Sequence, residues 1–436
     1  MSVKVNSAFA SVLLAFGLLL PCQLGLPTTT NQGDRLIVFV PTRQAQLDWL
    51  ELIHSQAGKP GEVGENVRFW FGPGLLNQET IVFVPGGDYG RLVAAIPSSQ
   101  DTYSWWTVQK ENLGKLVTGE TRRSSDISSA YRTYQEILNF LDQTQSTCGS
   151  FCSVEKYGTS YEGRDLKLIK IGDDLPSKRI VWIDAGIHAR EWIAPATALY
   201  FIDKIVQGYK SSDSTIKSML DNFAFYIAPL LNPDGYVYSY TFTRERLWRK
   251  TRSAQAGGCY GVDLNRNFGY HWGGQGSSSD PCDENFRGSS AFSEPETRAV
   301  RDKLLAIRLR TISFITMHSY GQDWMVPYGY AYNVSVDNYA QMMRPVQAAA
   351  DKLKSLGRNY DIGNSAVVTY PAAGASDDYA ASIGVPYAHT IELPDTGQYR
   401  FLLPQSEIPE LAWRRWRLSK SIWGTLRPLI SQGMND

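Results

Sequence analysis

Residues 180–208 read IVWIDAGIHAREWIAPATALYFIDKIVQG and join a short apolar run to a segment with helical spacing. Ile180–Ile183 is typical of a buried strand, and the apolar residues of Ala194–Gly208 recur with the period of a helix. The same alternation continues through the strands Phe223–Leu231, Thr311–Met317 and Val385–Leu393, the helix Ala340–Leu356 and a closing helix rich in Trp and Arg. The run Asn232-Pro233-Asp234-Gly235 predicts a turn. The alternation predicts an α/β domain with helices on both faces of a mixed, largely parallel sheet.

The composition excludes several classes of protein. The chain has 436 residues, 43 Lys and Arg against 43 Asp and Glu, and 43% hydrophobic residues, which is too apolar for a disordered chain. A balanced charge argues against a nucleic-acid partner, since such binding rests on an excess of cations over phosphates. Beyond the N-terminus no apolar run reaches the roughly 18 residues of a membrane span, so we expect no membrane partner. The length favours two domains, or one large domain with an accessory piece.

The N-terminus predicts secretion. Lys4 precedes the apolar run Ala8–Leu20, which Pro21 ends, and small residues follow up to Gly25. This pattern is typical of a signal peptide at residues 1–25 and implies a secreted, extracellular protein. The alternative is a single anchor helix, which needs about 20 apolar residues.

The cysteines fit that compartment. Cys22 would leave with the signal, so four cysteines remain, and an even number in a secreted protein indicates disulfides. The near pairs Cys148–Cys152 and Cys259–Cys282 are the simplest of three possible connectivities. A zinc site of four cysteines is the alternative, but neither gap has the usual zinc-knuckle spacing.

A small α+β domain is predicted ahead of the larger one. Its elements are the strands Arg35–Val40, Val67–Phe71 and Ile81–Val84 and the helix Ala45–His54. The polar stretch that follows contains the dibasic pair Arg122-Arg123, which is either a solvated linker or the activation site of a trypsin-like protease. We favour activation, with a propeptide domain at 26–123 and a catalytic domain at 124–436.

Two of the five histidines follow buried strands. His188 comes directly after Ile180–Ile183, His318 after Thr311–Met317, and Glu392 lies near the end of the last strand. Ligands of open α/β sheets bind at the carboxyl ends of strands, so these side chains could converge. His188, Glu191 and His318 would supply two imidazoles and a carboxylate and leave one zinc position open, the pattern of a catalytic site. Glu392 is a candidate general base, although a buried, paired glutamate is the alternative. The remaining histidines have no such partners: His54 falls in the leading domain, and His271 and His389 are predicted to be structural.

Five separated motifs carry a resemblance that covers nearly the whole chain. They are His188-Ala-Arg-Glu-Trp192, Arg246-Leu-Trp-Arg-Lys-Thr-Arg252, Asp263-Leu-Asn-Arg-Asn267, Thr316-Met-His-Ser-Tyr320 and Glu392-Leu-Pro-Asp-Thr-Gly397. The chain resembles the zinc procarboxypeptidases of the pancreatic carboxypeptidase A/B type, and carboxypeptidase B most of all. The resemblance implies a monomeric zymogen with one Zn²⁺ per chain, a trypsin-like activating protease, and the C-termini of peptides and proteins as substrate.

The resemblance also implies the role of each matching residue. His188, Glu191 and His318 would bind zinc, Glu392 would act as general base and Arg249 would polarise the scissile carbonyl. The substrate-binding residues implied in the same way are Arg190, Asn265, Arg266, Tyr320 and Tyr370. Asn265 and Arg266 would hold the terminal carboxylate, which suits the bidentate geometry of a guanidinium. Tyr370 would close over the bound residue.

Specificity depends on Asp377, which stands 7 residues after Tyr370 and 15 before Glu392. The B-type enzymes have an acidic residue at that register and the A-type an aliphatic one, so the resemblance implies release of C-terminal Lys or Arg. The alternatives are an Asp that only forms a turn, an A-type enzyme for apolar residues and a non-catalytic peptide-binding relative. Ala375 replaces an expected glycine and would narrow the pocket.

Overall fold

A computed structural model describes residues 33–57, 59–69, 73, 76–77, 79–97, 105–111, 127, 129–241 and 245–409. Its strands are β1 (Arg35–Phe39), β2 (Arg68–Phe69), β3 (Thr80–Val84), β4 (Trp106–Glu111), β5 (Cys152–Thr159), β6 (Asp165–Ile171), β7 (Arg179–Ala185), β8 (Phe223–Ala228), β9 (Thr311–Ser319), β10 (Asp323–Val326), β11 (Asp361–Asn364) and β12 (Tyr387–Leu393). Its α-helices are α1 (Gln44–Ser55), α2 (Tyr89–Ala95), α3 (Tyr134–Cys148), α4 (Ile193–Lys210), α5 (Ser214–Asn222), α6 (Pro233–Thr241), α7 (Pro295–Ile307), α8 (Tyr339–Ser355), α9 (Ser365–Val368) and α10 (Ser376–Ser382). None of the helices described is long and apolar enough to span a bilayer.

The larger domain is built on an eight-stranded sheet with the order β11-β10-β12-β9-β7-β8-β6-β5. The central strands β12, β9, β7 and β8 run parallel, whereas β10, β6 and β5 pair antiparallel with their inner neighbours. The predicted mixed, largely parallel sheet is therefore confirmed. Parallel strands place their carboxyl ends at one edge, and that edge carries the site described below.

Two hydrophobic cores lie on opposite faces of this sheet. Val181 and Ile183 of β7 point into the core that contains α4, α5 and α8, and Ile180 and Trp182 point into the core that contains α7 and α10. Both faces of β7 are buried, so its residues Ile180–Ile183 form a continuous apolar run rather than an alternating one. This explains why the sequence shows it so clearly.

The leading domain has a four-stranded sheet in the order β2-β3-β1-β4. Ile37 and Phe39 of β1 pack into a separate core with α1, while Leu36 and Val38 belong to the core of the larger domain. The two units therefore share an apolar contact across one face of the small sheet. Glu79, directly ahead of β3, also pairs with Arg400 of the larger domain.

The predicted turn after β8 and the predicted disulfides can be compared with the structure. The residues after β8 do not form a simple turn, because Pro233 begins α6 and Asn232 Oδ1 accepts a hydrogen bond from Gly235 N at 3.0 Å. Proline is favoured in the first turn of a helix, so the turn prediction was wrong there. Disulfides join Cys148 to Cys152 and Cys259 to Cys282, the near pairing. Residues 1–25, the dibasic pair at 122–123 and most of the predicted closing helix lie outside the described residues.

Candidate active site

The side chains expected at the carboxyl edge of the sheet meet there. His188 lies in the loop after β7, and His318 is the penultimate residue of β9. Glu392, in β12, is paired in register with His318. These positions follow from three parallel strands ending at one edge, so the sheet itself brings the groups together.

His188, Glu191 and His318 form a compact set of donor atoms. One atom from each residue lies within 4.8 Å of the others, and all three side chains are buried. The Nδ1 atoms of the two histidines are 3.2 Å apart. Glu191 places Oε1 at 2.7 Å from Nδ1 of His188 and Oε2 at 3.2 Å from Nδ1 of His318. Two imidazole nitrogens and a carboxylate therefore face one point, as a tetrahedral zinc site with an open position requires.

The opposite ring nitrogens are held by further residues. Nε2 of His188 lies 3.1 Å from Oδ1 of Asp263, and Nε2 of His318 lies 3.3 Å from the hydroxyl of Thr316. Such partners fix the orientation of a metal-binding imidazole, so the arrangement fits zinc. Both contacts were missed at the sequence level, although Asp263 and Thr316 each open one of the motifs quoted above.

Asp263 also fixes Arg249. The guanidinium donates from Nε at 3.1 Å and from Nη2 at 2.8 Å to Oδ2 of Asp263, while its Nη1 lies 3.9 Å from Oε1 of Glu191. Burial opposes ionisation of Asp263, but Arg249, Arg266 and His188 outweigh it and hold the pKa of this carboxyl well below its usual range. Arg249 is thus a rigid cation directly beside the proposed metal position.

Burial and neighbouring charges separate the two glutamates. Burial would raise the pKa of Glu191, but His188 and His318 outweigh it and lower that pKa. For His318, burial alone would lower the pKa, but the neighbouring Glu191 outweighs burial and raises this pKa to about 9. For Glu392, burial dominates and raises the pKa to about 8. Glu191 is therefore held as an anion, whereas Glu392 readily holds a proton, which is the behaviour expected of a proton carrier.

A cavity of about 280 Å³ extends from this group, and Asn265, Arg266 and Tyr370 line one part of it. Arg266 is buried and donates from Nε to the carbonyl of Gly276 at 2.8 Å and from Nη1 to its neighbour Asn265 at 2.9 Å. Its Nη2 lies 3.5 Å from the hydroxyl of Tyr370, whose side chain is 44% exposed. A fixed cation beside an exposed phenol suits an anionic ligand end covered by a movable side chain.

Asp377 and Asp378 are adjacent in α10 but have different surroundings. Asp377 lines the cavity together with Thr390 and Ser365, and the Ser365 hydroxyl donates to its Oδ2 at 3.4 Å. Asp378 instead accepts hydrogen bonds from the backbone N–H groups of Gly329 at 2.7 Å and Tyr330 at 3.0 Å. Burial raises the pKa of both carboxyls. Only Asp377 of this pair is available to a ligand in the cavity.

Ala375, Tyr320 and Phe401 also line the cavity, and Arg190 is not among its lining residues. The guanidinium of Arg190 is buried against the ring of Phe401 at 4.4 Å and donates to Oε2 of Glu284 at 3.1 Å. It lies behind the wall of the cavity.

The two histidines that were predicted to be structural lie outside the site. His389 is buried in β12, where burial lowers its pKa to about 3, and His271 stacks on Tyr330.

Comparison with known proteins identifies the family of this chain. Residues 137–417 match the family model described as zinc carboxypeptidase. Carboxypeptidase B of Astacus astacus is 44% identical over 284 residues, covering 64% of this chain and 91% of that protein. Carboxypeptidase A2 of Mus musculus is 34% identical over 409 residues, covering 91% of this chain and 95% of that protein. The crystal structure of thrombin activatable fibrinolysis inhibitor superposes with a TM-score of 0.79 and 29% identity over 90% of this chain and 98% of that one.

Proposed function

The chain belongs to the zinc carboxypeptidase family, acts on peptide C-termini as a zinc-dependent metallocarboxypeptidase, and, we propose, releases single Lys or Arg residues. The observation that carries the basic specificity is Asp377, a buried carboxylate in the cavity wall beside Thr390. A cationic side chain that leaves water needs an opposite fixed charge, and an apolar side chain would gain nothing from one. This favours a B-type enzyme over an A-type enzyme.

We assign the zinc ion to His188, Glu191 and His318. The convergence of their donor atoms and the outer contacts of both histidines support that assignment. When bound, the metal supplies a Lewis acid that lowers the pKa of water toward 7 and polarises a carbonyl. All other steps belong to side chains of this protein.

The substrate would be held at its terminal carboxylate and at its scissile carbonyl. Arg266 and Asn265 hold the terminal carboxylate, and Tyr370 closes over it from the exposed side. Arg249 faces the scissile carbonyl and stabilises the negative charge that develops on its oxygen, which is where a fixed cation has its largest effect. Tyr320 also lines the cavity.

Glu392 would move the proton. It takes a proton from the attacking water and delivers it to the nitrogen that leaves with the C-terminal residue. Its Oε2 has no hydrogen-bond partner among the described residues, so this atom remains available to water or substrate. A peptide-binding relative without catalysis would have no use for an unpartnered carboxylate in this position.

We further propose that the chain is made as a secreted zymogen with a signal peptide at 1–25, a propeptide domain at 26–123 and a catalytic domain at 124–436. Latency is supported by Glu79, which lies just ahead of β3 in the leading domain and accepts a hydrogen bond from Arg400 Nη2 at 2.8 Å. Arg400 also donates from Nη1 to the hydroxyl of Tyr320 at 2.9 Å. The leading domain is therefore tied to a residue of the cavity wall. Cleavage after Arg122 or Arg123 by a trypsin-like protease would release it, leaving a monomeric enzyme.

The test is a hydrolysis assay of the purified full chain before and after trypsin. Four peptides that differ only in a C-terminal Lys, Arg, Leu or Phe are compared by kcat/KM. We expect activity to rise on cleavage and to favour Lys and Arg. Preference for Leu and Phe would identify an A-type enzyme instead, and full activity before cleavage would contradict the zymogen proposal.

A further inference from the structure

Besides Glu191, Asp377 and Glu392, the acidic side chain of Asp323 lines the same cavity, and it has no role in the chemistry described above. It begins β10, and continuing the antiparallel register of β10 and β12 places it opposite Glu392. A Cβ atom built on Gly321 would lie 2.3 Å from Oδ2 of Asp323 and 3.3 Å from Cβ of Glu392. The carboxylate therefore folds back against Gly321, next to the general base, and a side chain at position 321 would displace it.

The carboxylate of Asp323 has no hydrogen bond and no ion pair with any of the described residues, although the residue is partly buried. Its cross-strand neighbour in β11 is the exposed Asp361, which is also acidic. Burial, with help from Asp361, raises the pKa of Asp323 to about 6, so the group is ionised at pH 8. An unpaired carboxylate in a partly dry wall costs stability, and a cation supplied by the ligand would offset that cost.

The position of Asp323 indicates which part of a substrate it meets. The terminal carboxylate and the last side chain are assigned to Arg266 and Asp377, and Asp377 lies beside Thr390 of β12. Asp323 lies opposite Glu392, two residues further along β12, where Gly321 N donates to the carbonyl of Leu393. Tyr320, which precedes Gly321, lines the cavity, and its ring packs edge-to-face with that of Phe401 at 5.0 Å. Aromatic rings of this kind accept the aliphatic stem of Lys or Arg and attract its charged head.

We infer that Asp323 is a second specificity residue, which selects a basic side chain on the residue before the scissile bond, so that the preferred substrates end in two consecutive basic residues. The inference rests on the proposed carboxypeptidase function and adds a substrate class to it. Three cations stand near this wall, and each has a carboxylate partner: Arg190 pairs with Glu284, Arg400 with Glu79 and Arg249 with Asp263. Removal of the leading domain would free Arg400 from Glu79, which limits the expected preference.

The test uses the trypsin-processed enzyme at pH 8 and six peptides. The penultimate residue is Lys, Ala or Glu, and each is combined with a C-terminal Lys or Leu. We expect kcat/KM for penultimate Lys to exceed that for penultimate Glu by roughly tenfold, the effect of one partly screened charge, about 1.4 kcal/mol. The preference should hold with either C-terminal residue and should weaken in high salt.

Two variants separate Asp323 from its surroundings. Asp323→Asn keeps the shape and should reduce the ratio of penultimate Lys to Glu to near one, while the ratio of C-terminal Lys to Leu stays unchanged. Asp361→Asn removes the same charge one strand away, outside the cavity lining, and should leave both ratios unchanged.

Three results would overturn the inference. The wild-type enzyme could treat the three penultimate residues alike, Asp323→Asn could retain the preference, or Asp323→Asn could lower all six rates in proportion, in which case Asp323 acts through Glu392. The first result is obtained with the wild-type enzyme, so it cannot be attributed to misfolding of a variant. A wrong C-terminal specificity would appear separately, as a preference for Leu over Lys at the last position.

Discussion

Replacing Asp377 by Asn tests the specificity assignment with the smallest change of shape. The amide retains an oxygen that can accept from Ser365, as Oδ2 of Asp377 does at 3.4 Å. The negative charge is lost from a site where the side chain is 3% exposed. The pocket should therefore stay open and lose only its attraction for a cation.

The magnitude follows from the burial of the pair. Truncating one member of a buried charge pair typically costs about 2–5 kcal/mol, which is about thirty-fold to several thousand-fold in kcat/KM. Burial raises the pKa of Asp377, so part of the attraction in the wild-type complex is spent on keeping the carboxyl ionised. We therefore expect the lower part of that range for C-terminal Lys and Arg. Activity on Leu or Phe should stay level or rise, because the pocket becomes easier to desolvate.

Asp378→Asn is the matched control. The two oxygens of its carboxylate accept hydrogen bonds from the N–H groups of Gly329 and Tyr330. An amide has only one oxygen, so the Asn side chain cannot reproduce both bonds in this geometry. This variant should lower stability and all activities together, with little change in the ratio of basic to apolar substrates. The assay measures kcat/KM on peptides ending in Lys, Arg, Leu and Phe. Proportional losses on all four with Asp377→Asn would refute the pocket role and make Asp377 a residue that holds the loop.

Three further predictions concern the base, the leading domain and a buried acid. Glu392→Gln should keep stoichiometric zinc by atomic absorption but lose about 10²–10⁴-fold in kcat, whereas loss of the metal would place Glu392 among its ligands. Glu79→Ala should raise the activity of the uncleaved chain by up to about fivefold, because a half-exposed pair with Arg400 contributes at most about 1 kcal/mol, and should leave the processed enzyme unchanged. Burial raises the pKa of Glu296 from 4.5 to about 8, so the folded state holds an extra proton between those values and stability falls as pH rises through them. Glu296→Gln can still accept from Tyr161 N and should raise the melting temperature at pH 8 more than at pH 5 in calorimetry; an equal gain at both would refute the shift.

The sequence predicted best the elements that are buried on both sides. β8 is apolar throughout, and β7 and β9 are mostly buried and each contains an apolar stretch, so the order of these strands indicated a parallel sheet with a site at the carboxyl edge. The antiparallel strands β5 and β6, at one side of the large sheet, were not predicted. β5 has a single buried residue, Cys152, among eight, so its apolar pattern is too weak to distinguish a strand from a loop.

For the site, residue types predicted that His188, Glu191 and His318 would converge, because histidines are rare in this chain and two of them follow buried strands. The roles of Asp263 and Thr316 depend on which ring nitrogen faces the metal, and that is a property of side-chain orientation. Asp323 could not be predicted either. An acid at the start of a short strand is ordinarily solvated, and only the register of β10 with β12 brings it into the cavity.

The charges of the cavity have a consequence for how selectivity arises. Asp377, Glu392 and Asp323 all line one space, and burial raises the pKa of each. Acids gathered in a dry wall destabilise the folded enzyme, a local conflict that proteins commonly retain at functional sites. The conflict is relieved when cations enter, so a basic substrate gains both a contact and the relief of an existing repulsion. A neutral substrate leaves the acids unpaired and gains neither. With the proposed assignments, the cavity would discriminate by the desolvated charge that it already holds, and Arg249 and Arg266 would confine the opposite charge to the carbonyl and the terminal carboxylate.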